Sequence, residues 1–215
     1  MALSFGTKNT GAVAIVATTD ALTAAIGRLA ESDATVVPFL TGAARRALLA
    51  ETQALPYRIA RPVVGEGAHA VRQDFEICTA IPADSPLHAL RRVTSDALES
   101  ALARFDPRPL DHALVLNDLV VQRYATGSAG ISPHRDHKRY VGLVALVPLS
   151  GSGQFAVCAD RSGANAREVS AHLGDLLLMR APGLFCRMDR PYHLLRDITA
   201  ERYSVGLRQD STHDN

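Results

Sequence analysis

From Leu114 onward the chain breaks into short runs rich in Val, Leu and Tyr, separated by Gly, Pro and Ser. They read LVLNDLVVQRYA, YVGLVALVPL, GQFAVCA, GDLLLM, YHLLRDI and RYSVGLR. Apolar runs this short, bounded by turn residues, form strands rather than helices, and several in succession predict an antiparallel sandwich or barrel. The preceding half has a different texture, with helical periodicity dominant. Helices first and sheet second define an α+β arrangement in which the helices buttress one outer face of the sheet.

In that first half, Gly11 to Ala30 (GAVAIVATTDALTAAIGRLA) predicts a short strand and then a helix capped near Thr19 or Asp20. Asp20 and Arg28 interrupt it too soon for a membrane span. Val36 to Leu40 ends at Thr41, an N-cap for a helix running to about Ala54. Val71 to Ile81 predicts one strand. Pro86 opens a helix to about Phe105, with Leu87, Leu90, Val93, Ala97, Leu98, Ala101 and Leu102 as its apolar stripe, and Asp106-Pro107-Arg108-Pro109 stops it. A chain of 215 residues, 47% hydrophobic, is enough for one sizeable core. The expectation is a single domain over 1–215, with a helical, lid-forming part about 1–113 and a strand-rich core about 114–210.

The formal net charge is +1 and no long Lys/Arg run occurs, which argues against a nucleic-acid-binding stripe. Cys78, Cys158 and Cys186 are odd in number and lack C-x-x-C spacing. They predict reduced thiols in a cytoplasmic protein rather than a disulfide framework. No G-x-S-x-G occurs, so the serine-hydrolase signature is missing.

The chemistry concentrates in His134-Arg135-Asp136, a distant His193, and the run Arg202 to Arg208. On a strand, residues two apart share a face, so His134 and Asp136 are expected to project together. Two imidazoles and a carboxylate on one side of a metal leave three positions open, the donor set of non-haem Fe(II) oxygenases. Alone, an HxD pattern also fits surface residues flanking a turn. In Arg202 to Arg208 the even positions are polar or small and the odd ones are Tyr, Val and Leu. This is either a half-buried strand with a solvent face, or a strand whose even face looks into a barrel. In the second case each arginine needs a partner, because unpaired burial costs several kcal/mol. A bound dicarboxylate would serve Arg202, and Asp136 would serve Arg208. Gln122 and Tyr124 share a face and fit either the same ligand or ordinary interior hydrogen bonding.

Taken in order, Asn117, Val121 to Gly127, His134-Arg135-Asp136, Gly174 to Met179, His193 and Arg202 to Gln209 resemble the core motifs of AlkB-type Fe(II)/2-oxoglutarate dioxygenases, over roughly Leu114 to Gln209. The resemblance implies a double-stranded β-helix (jelly-roll) core. It also implies Fe(II), 2-oxoglutarate and O₂, with His134, Asp136 and His193 on the metal and Arg202 on the distal carboxylate of the co-substrate. Arg208 would then lie near the proximal carboxylate and Asp136, with Tyr124, Gln122 and Ser204 lining the pocket.

The chain departs from the nucleic-acid repair members of that family. Gln122 and Ser204 stand where Asn is usual, Lys138 where an acid is usual, and Met179 where an aromatic residue is common. No Trp is present, and residues 55–85 show no clear aromatic lid of the kind base repair requires. The leading expectation is therefore oxidation of a small molecule, most simply a C–H hydroxylation. Demethylation of alkylated nucleic acid or protein is the alternative, and a non-catalytic metal or ligand sensor ranks lower. Candidate substrate contacts are Gln73, Asp74, Glu76, Lys138, Arg139, Tyr140 and Arg187.

Overall fold

The computed structural model describes residues 13–212. In chain order the elements are α1 (Thr19–Arg28), β1 (Ala34–Pro38), α2 (Gly42–Gln53), β2 (Arg58–Ile59), β3 (Val63–Val64), β4 (Val71–Asp74) and β5 (Glu76–Cys78). Then come α3 (Pro86–Leu102), β6 (Asp118–Tyr124), β7 (Gly130–His134), β8 (Tyr140–Ser150), β9 (Gln154–Cys158), β10 (Arg167–Glu168), β11 (Asp175–Arg180), β12 (Tyr192–Arg196) and β13 (Arg202–Asp210).

One sheet runs β1-β11-β8-β13-β6-β5-β2 and the other β10-β9-β12-β7-β4-β3, with antiparallel pairing throughout. Two antiparallel sheets with helices on one outer face form the expected α+β jelly roll. Strands from before Leu114 extend both sheets.

Side-chain parity sorts the larger sheet into two faces. Leu143, Ala145, Val147 and Leu149 of β8, with Val205 and Leu207 of β13, pack against Leu22 and Ile26 of α1 and Leu90 and Leu98 of α3. The alternate residues Val144, Leu177 and Met179 meet Phe155 and Leu195 of the facing sheet.

The helix starts follow local capping chemistry. Thr41 Oγ1 accepts from Ala44 N, and Ser85 Oγ accepts from Leu87 N with Pro86 just inside. The first helix is capped by Thr18, whose Oγ1 accepts from Ala21 N, just ahead of the expected Thr19 or Asp20. Gly11 and Ala12 of the expected leading strand lie outside the described residues, and Ile15 forms only an isolated bridge to Leu40. Helix α3 ends at Leu102 rather than near Phe105. At its centre Thr94 and Ser95 are buried while Val93 is only half-buried. The reason is a polar contact: Ser95 Oγ donates to Leu114 O and accepts from Leu116 N.

Val71 to Ile81 is not one strand. Its first part, β4, pairs with β7, and its second, β5, pairs with β6 of the other sheet. The chain turns the corner at Phe75, which is buried between the sheets. Pro133 lies near the end of β7. It sits where the β7–β12 register shifts, so the amide it lacks falls in a bulge. Among the described residues no helix is long and apolar enough to cross a membrane, and the cysteines are free thiols.

Candidate metal centre

His134 closes β7, and His193 stands opposite it on β12. Asp136 lies past the end of β7, so strand parity is not what brings it to His134. The loop turns its carboxylate inward instead. One ligand atom from each of His134, Asp136 and His193 lies within 4.8 Å of the others. His193 Nε2 is 3.9 Å from Asp136 Oδ1, and the imidazole centroids are 4.1 Å apart.

The backbone fixes the ring orientations. His134 Nδ1 is 2.9 Å from Ser132 O and His193 Nδ1 is 3.4 Å from Pro191 O. A carbonyl only accepts, so each Nδ1 donates and each Nε2 presents its lone pair to the shared centre. Phe155 stacks on the His193 ring at 5.7 Å.

Burial and the neighbouring His193 push the His134 imidazole down to about 4, against the pull of Asp136. Burial alone would raise the Asp136 carboxyl. His193, Arg208, His134 and Arg190 overcome that and hold it below the ordinary carboxylate value. Near neutrality this favours a neutral His134 imidazole and an ionised Asp136, two of the donor forms a divalent iron site takes.

Beside these ligands opens a cavity of about 820 Å³, part of it solvent-open. His134, Asp136, His193, Gln122, Tyr124, Arg202, Ser204 and Arg208 all line it, with Ile131, Val144, Phe155 and Leu177 as apolar walls. The even face of β13 thus points inward. Arg202 pairs in register with Tyr124, and Ser204 with Gln122. Burial depresses the Arg202 guanidinium, with Tyr124 opposing, and its buried Nε has no hydrogen-bond partner among the described residues. Tyr124 is 1% exposed, and burial raises its phenol well above the usual value.

Arg208 corrects one expectation. Its ion pair is with Asp118, Nε to Oδ2 at 2.7 Å, and its guanidinium lies over the Tyr140 ring at 4.3 Å. Asp136 feels Arg208 only as a nearby charge. Asp118 is opposite Arg208 in the β6–β13 register, a pairing that needs the fold to be known.

None of the candidate substrate contacts lines this cavity. Gln73 Nε2 donates to Arg61 O, Asp74 Oδ2 accepts from Ala129 N, and Glu76 pairs with Arg123. Arg139 pairs with Asp210 and donates to Tyr140 OH. Arg187 reaches Asp189, and Lys138 is exposed beside a shallower hollow. Sequence reasoning missed Arg190, whose Nη1 donates to Asp136 O at 2.5 Å. It also missed Phe155, which the alternation in GQFAVCA would have placed inward beside Val157.

The fold is that of the 2-oxoglutarate- and Fe(II)-dependent oxygenases. A prolyl hydroxylase from Trichoplax adhaerens, solved with a peptide fragment of the hypoxia inducible factor oxygen degradation domain, superposes with a TM-score of 0.63 at 13% identity, covering 90% of each chain. A 2OG-Fe(II) oxygenase family oxidoreductase from Burkholderia pseudomallei gives 0.59 at 13% identity, over 88% of this chain and 90% of that one. A Pseudomonas putida prolyl-4-hydroxylase gives 0.59 at 20% identity, over 88% and 98%. No protein-family profile matches the sequence, and no curated protein matches it. The likeness is therefore one of fold, shared with 2-oxoglutarate- and Fe(II)-dependent oxygenases at 13–20% identity.

Proposed function

We propose that the chain is an Fe(II)- and 2-oxoglutarate-dependent oxygenase that hydroxylates a C–H bond of a small molecule. The observation that carries this is Arg202. A guanidinium whose buried Nε lacks an acceptor among the described residues is costly unless an anion completes it, and it opens into the same cavity as the His134, Asp136 and His193 donors. That combination fits a co-substrate with a carboxylate at one end and a metal-chelating keto acid at the other.

When bound, Fe(II) with 2-oxoglutarate and O₂ supplies an oxidant that inserts oxygen into a C–H bond and leaves succinate and CO₂. The protein's own contributions are positional. His134 Nε2, His193 Nε2 and the Asp136 carboxylate would hold the ion, with the rings aimed by Ser132 O and Pro191 O. Arg202 would grip the distal carboxylate, and Ser204, Gln122 and Tyr124 offer hydrogen-bonding groups beside it. Ile131, Val144, Phe155 and Leu177 exclude water along the remaining wall, which strengthens each of these interactions.

The test is conversion of 2-oxoglutarate to succinate with Fe(II), ascorbate and O₂, scored against His134→Ala. Equal succinate from both proteins, with candidate substrates present, would reject the oxygenase and favour a sensor. Peptide oxidation is a second reading, motivated by the peptide in the Trichoplax neighbour's structure. The AlkB-like motifs add methylated single-stranded DNA as a third substrate arm, read out as formaldehyde.

A further inference from the structure

Beside Asp136 the barrel rim carries a second hollow, lined by Arg135, Lys138, Pro182, Met188, Asp189 and Arg190. Its position is tied to the metal centre. Arg135 lies between two of the ligands in sequence, and Arg190 donates to the main-chain oxygen of Asp136.

The charges in this hollow are unbalanced. Asp189 is its one acid, and that carboxylate is already held by Arg180 at 2.5 Å and by Arg187 at 3.3 Å. Arg135, Lys138 and Arg190 have no carboxylate within ion-pair distance among the described residues. Arg135 lies over the Tyr192 ring at 4.1 Å, which limits the side chain's freedom.

The wall is also fixed in advance. Arg180 is 3% exposed and joins Asp189 to Asp33, donating to the Asp189 carbonyl as well. Arg190 is the next residue, so its backbone inherits that anchor. Two guanidiniums and an ammonium line the hollow against a single acid that two other arginines already hold, an excess of positive charge that suits a multiply charged oxyanion better than a single carboxylate. Pro182 and Met188, the latter 73% exposed, supply an apolar edge for a carbon skeleton.

We propose that this hollow anchors the substrate and that the substrate is a small organic phosphate, its phosphate held by Arg135, Lys138 and Arg190 while its carbon chain reaches the metal cavity. The proposal rests on the oxygenase reading and names its substrate class.

Calorimetric titration with pyrophosphate tests it on the wild type, Arg135→Gln, Lys138→Gln and Arg92→Gln. Arg92 is an exposed control on α3. Saturable binding is expected, with Kd raised about tenfold by either pocket change, as for one lost charge-assisted contact, and unchanged in Arg92→Gln. Glycerol 3-phosphate should displace pyrophosphate, and glycerol should not. Absence of binding, equal weakening in Arg92→Gln, or failure of glycerol 3-phosphate to compete overturns the proposal. A short single-stranded oligonucleotide that binds more tightly than pyrophosphate also overturns it. Mn(II) binding and succinate formation, measured in parallel, report on the oxygenase reading separately.

Discussion

Arg202 stands opposite Tyr124 across β13 and β6, and its buried Nε meets no acceptor among the described residues. The strand pairing fixes the backbone from which this guanidinium extends into the cavity. Arg202→Met keeps an unbranched apolar stem and removes the charge. It should raise the 2-oxoglutarate concentration needed for half-maximal succinate formation by a factor matching about 1.5–3 kcal/mol. Thermal stability without co-substrate should hold or rise, because a desolvated charge is gone. An unchanged 2-oxoglutarate requirement would place the anion elsewhere.

Removing a donor should be felt directly in the metal. Asp136→Asn and His193→Ala are each expected to weaken Co(II) binding by more than the roughly 10–100-fold typical of lost outer partners. The Co(II) absorption spectrum provides a readout independent of turnover. Wild-type spectra from both variants would remove the centre from the molecule.

The pH dependence follows from His134. Its native pKa is pushed down to about 4 from 6.5. The unfolded chain therefore takes up this proton below about 6.5, while the native protein resists until about 4. Stability from the neutral ring is full above that window and is lost as pH falls through it. Asp136 acts in the same direction, with a carboxyl held below its ordinary value, so its contribution is lost as pH falls through a lower window. Urea midpoints of metal-free protein should fall between about pH 7 and about pH 5, and less so in His134→Gln. Equal slopes in the two proteins would assign the loss to other groups.

Arg180→Met should destabilise by about 2 kcal/mol. Breaking a buried ion pair costs about 3–5 kcal/mol when both charges are enclosed, but Asp33 and Asp189 retain 33% and 57% side-chain exposure. Chemical denaturation measures it, and a change near zero would mean that water replaces the guanidinium without loss.

Gly130 holds β7 close to β12. Its φ is +74°, and an added Cβ would lie 2.0 Å from Leu195 O. Backbone must shift to admit it, so Gly130→Ala should cost about 4 kcal/mol or more and lower soluble yield. A near-wild-type melting curve would show that the two strands can separate at this point.

Much of the architecture was legible because it is local. Thr41 and Pro86 mark helix starts by capping chemistry, and the odd–even alternation of Arg202 to Arg208 assigns one face to the helices and the other to the cavity. His134, Asp136 and His193 were legible as candidate donors only together with the Arg202 to Arg208 strand, since an HxD pattern alone also fits surface residues flanking a turn. Features fixed by distant partners were not. The corner at Phe75, the bulge at Pro133 and the pairing of Arg208 with Asp118 each depend on which strand lies alongside.

Asp33 and Asp189 are far apart in the chain, yet both close on the guanidinium of Arg180. Asp33 comes just before the edge strand β1, and Asp189 comes just before the strand that carries His193. A recombinant fragment starting at Leu114 would retain all three donor atoms and lose half of this clasp together with its neighbouring strand. The smallest piece able to grip an ion is thus longer than the stretch containing its candidate ligands, and trimming from the amino end disturbs the candidate metal centre well before it reaches His134.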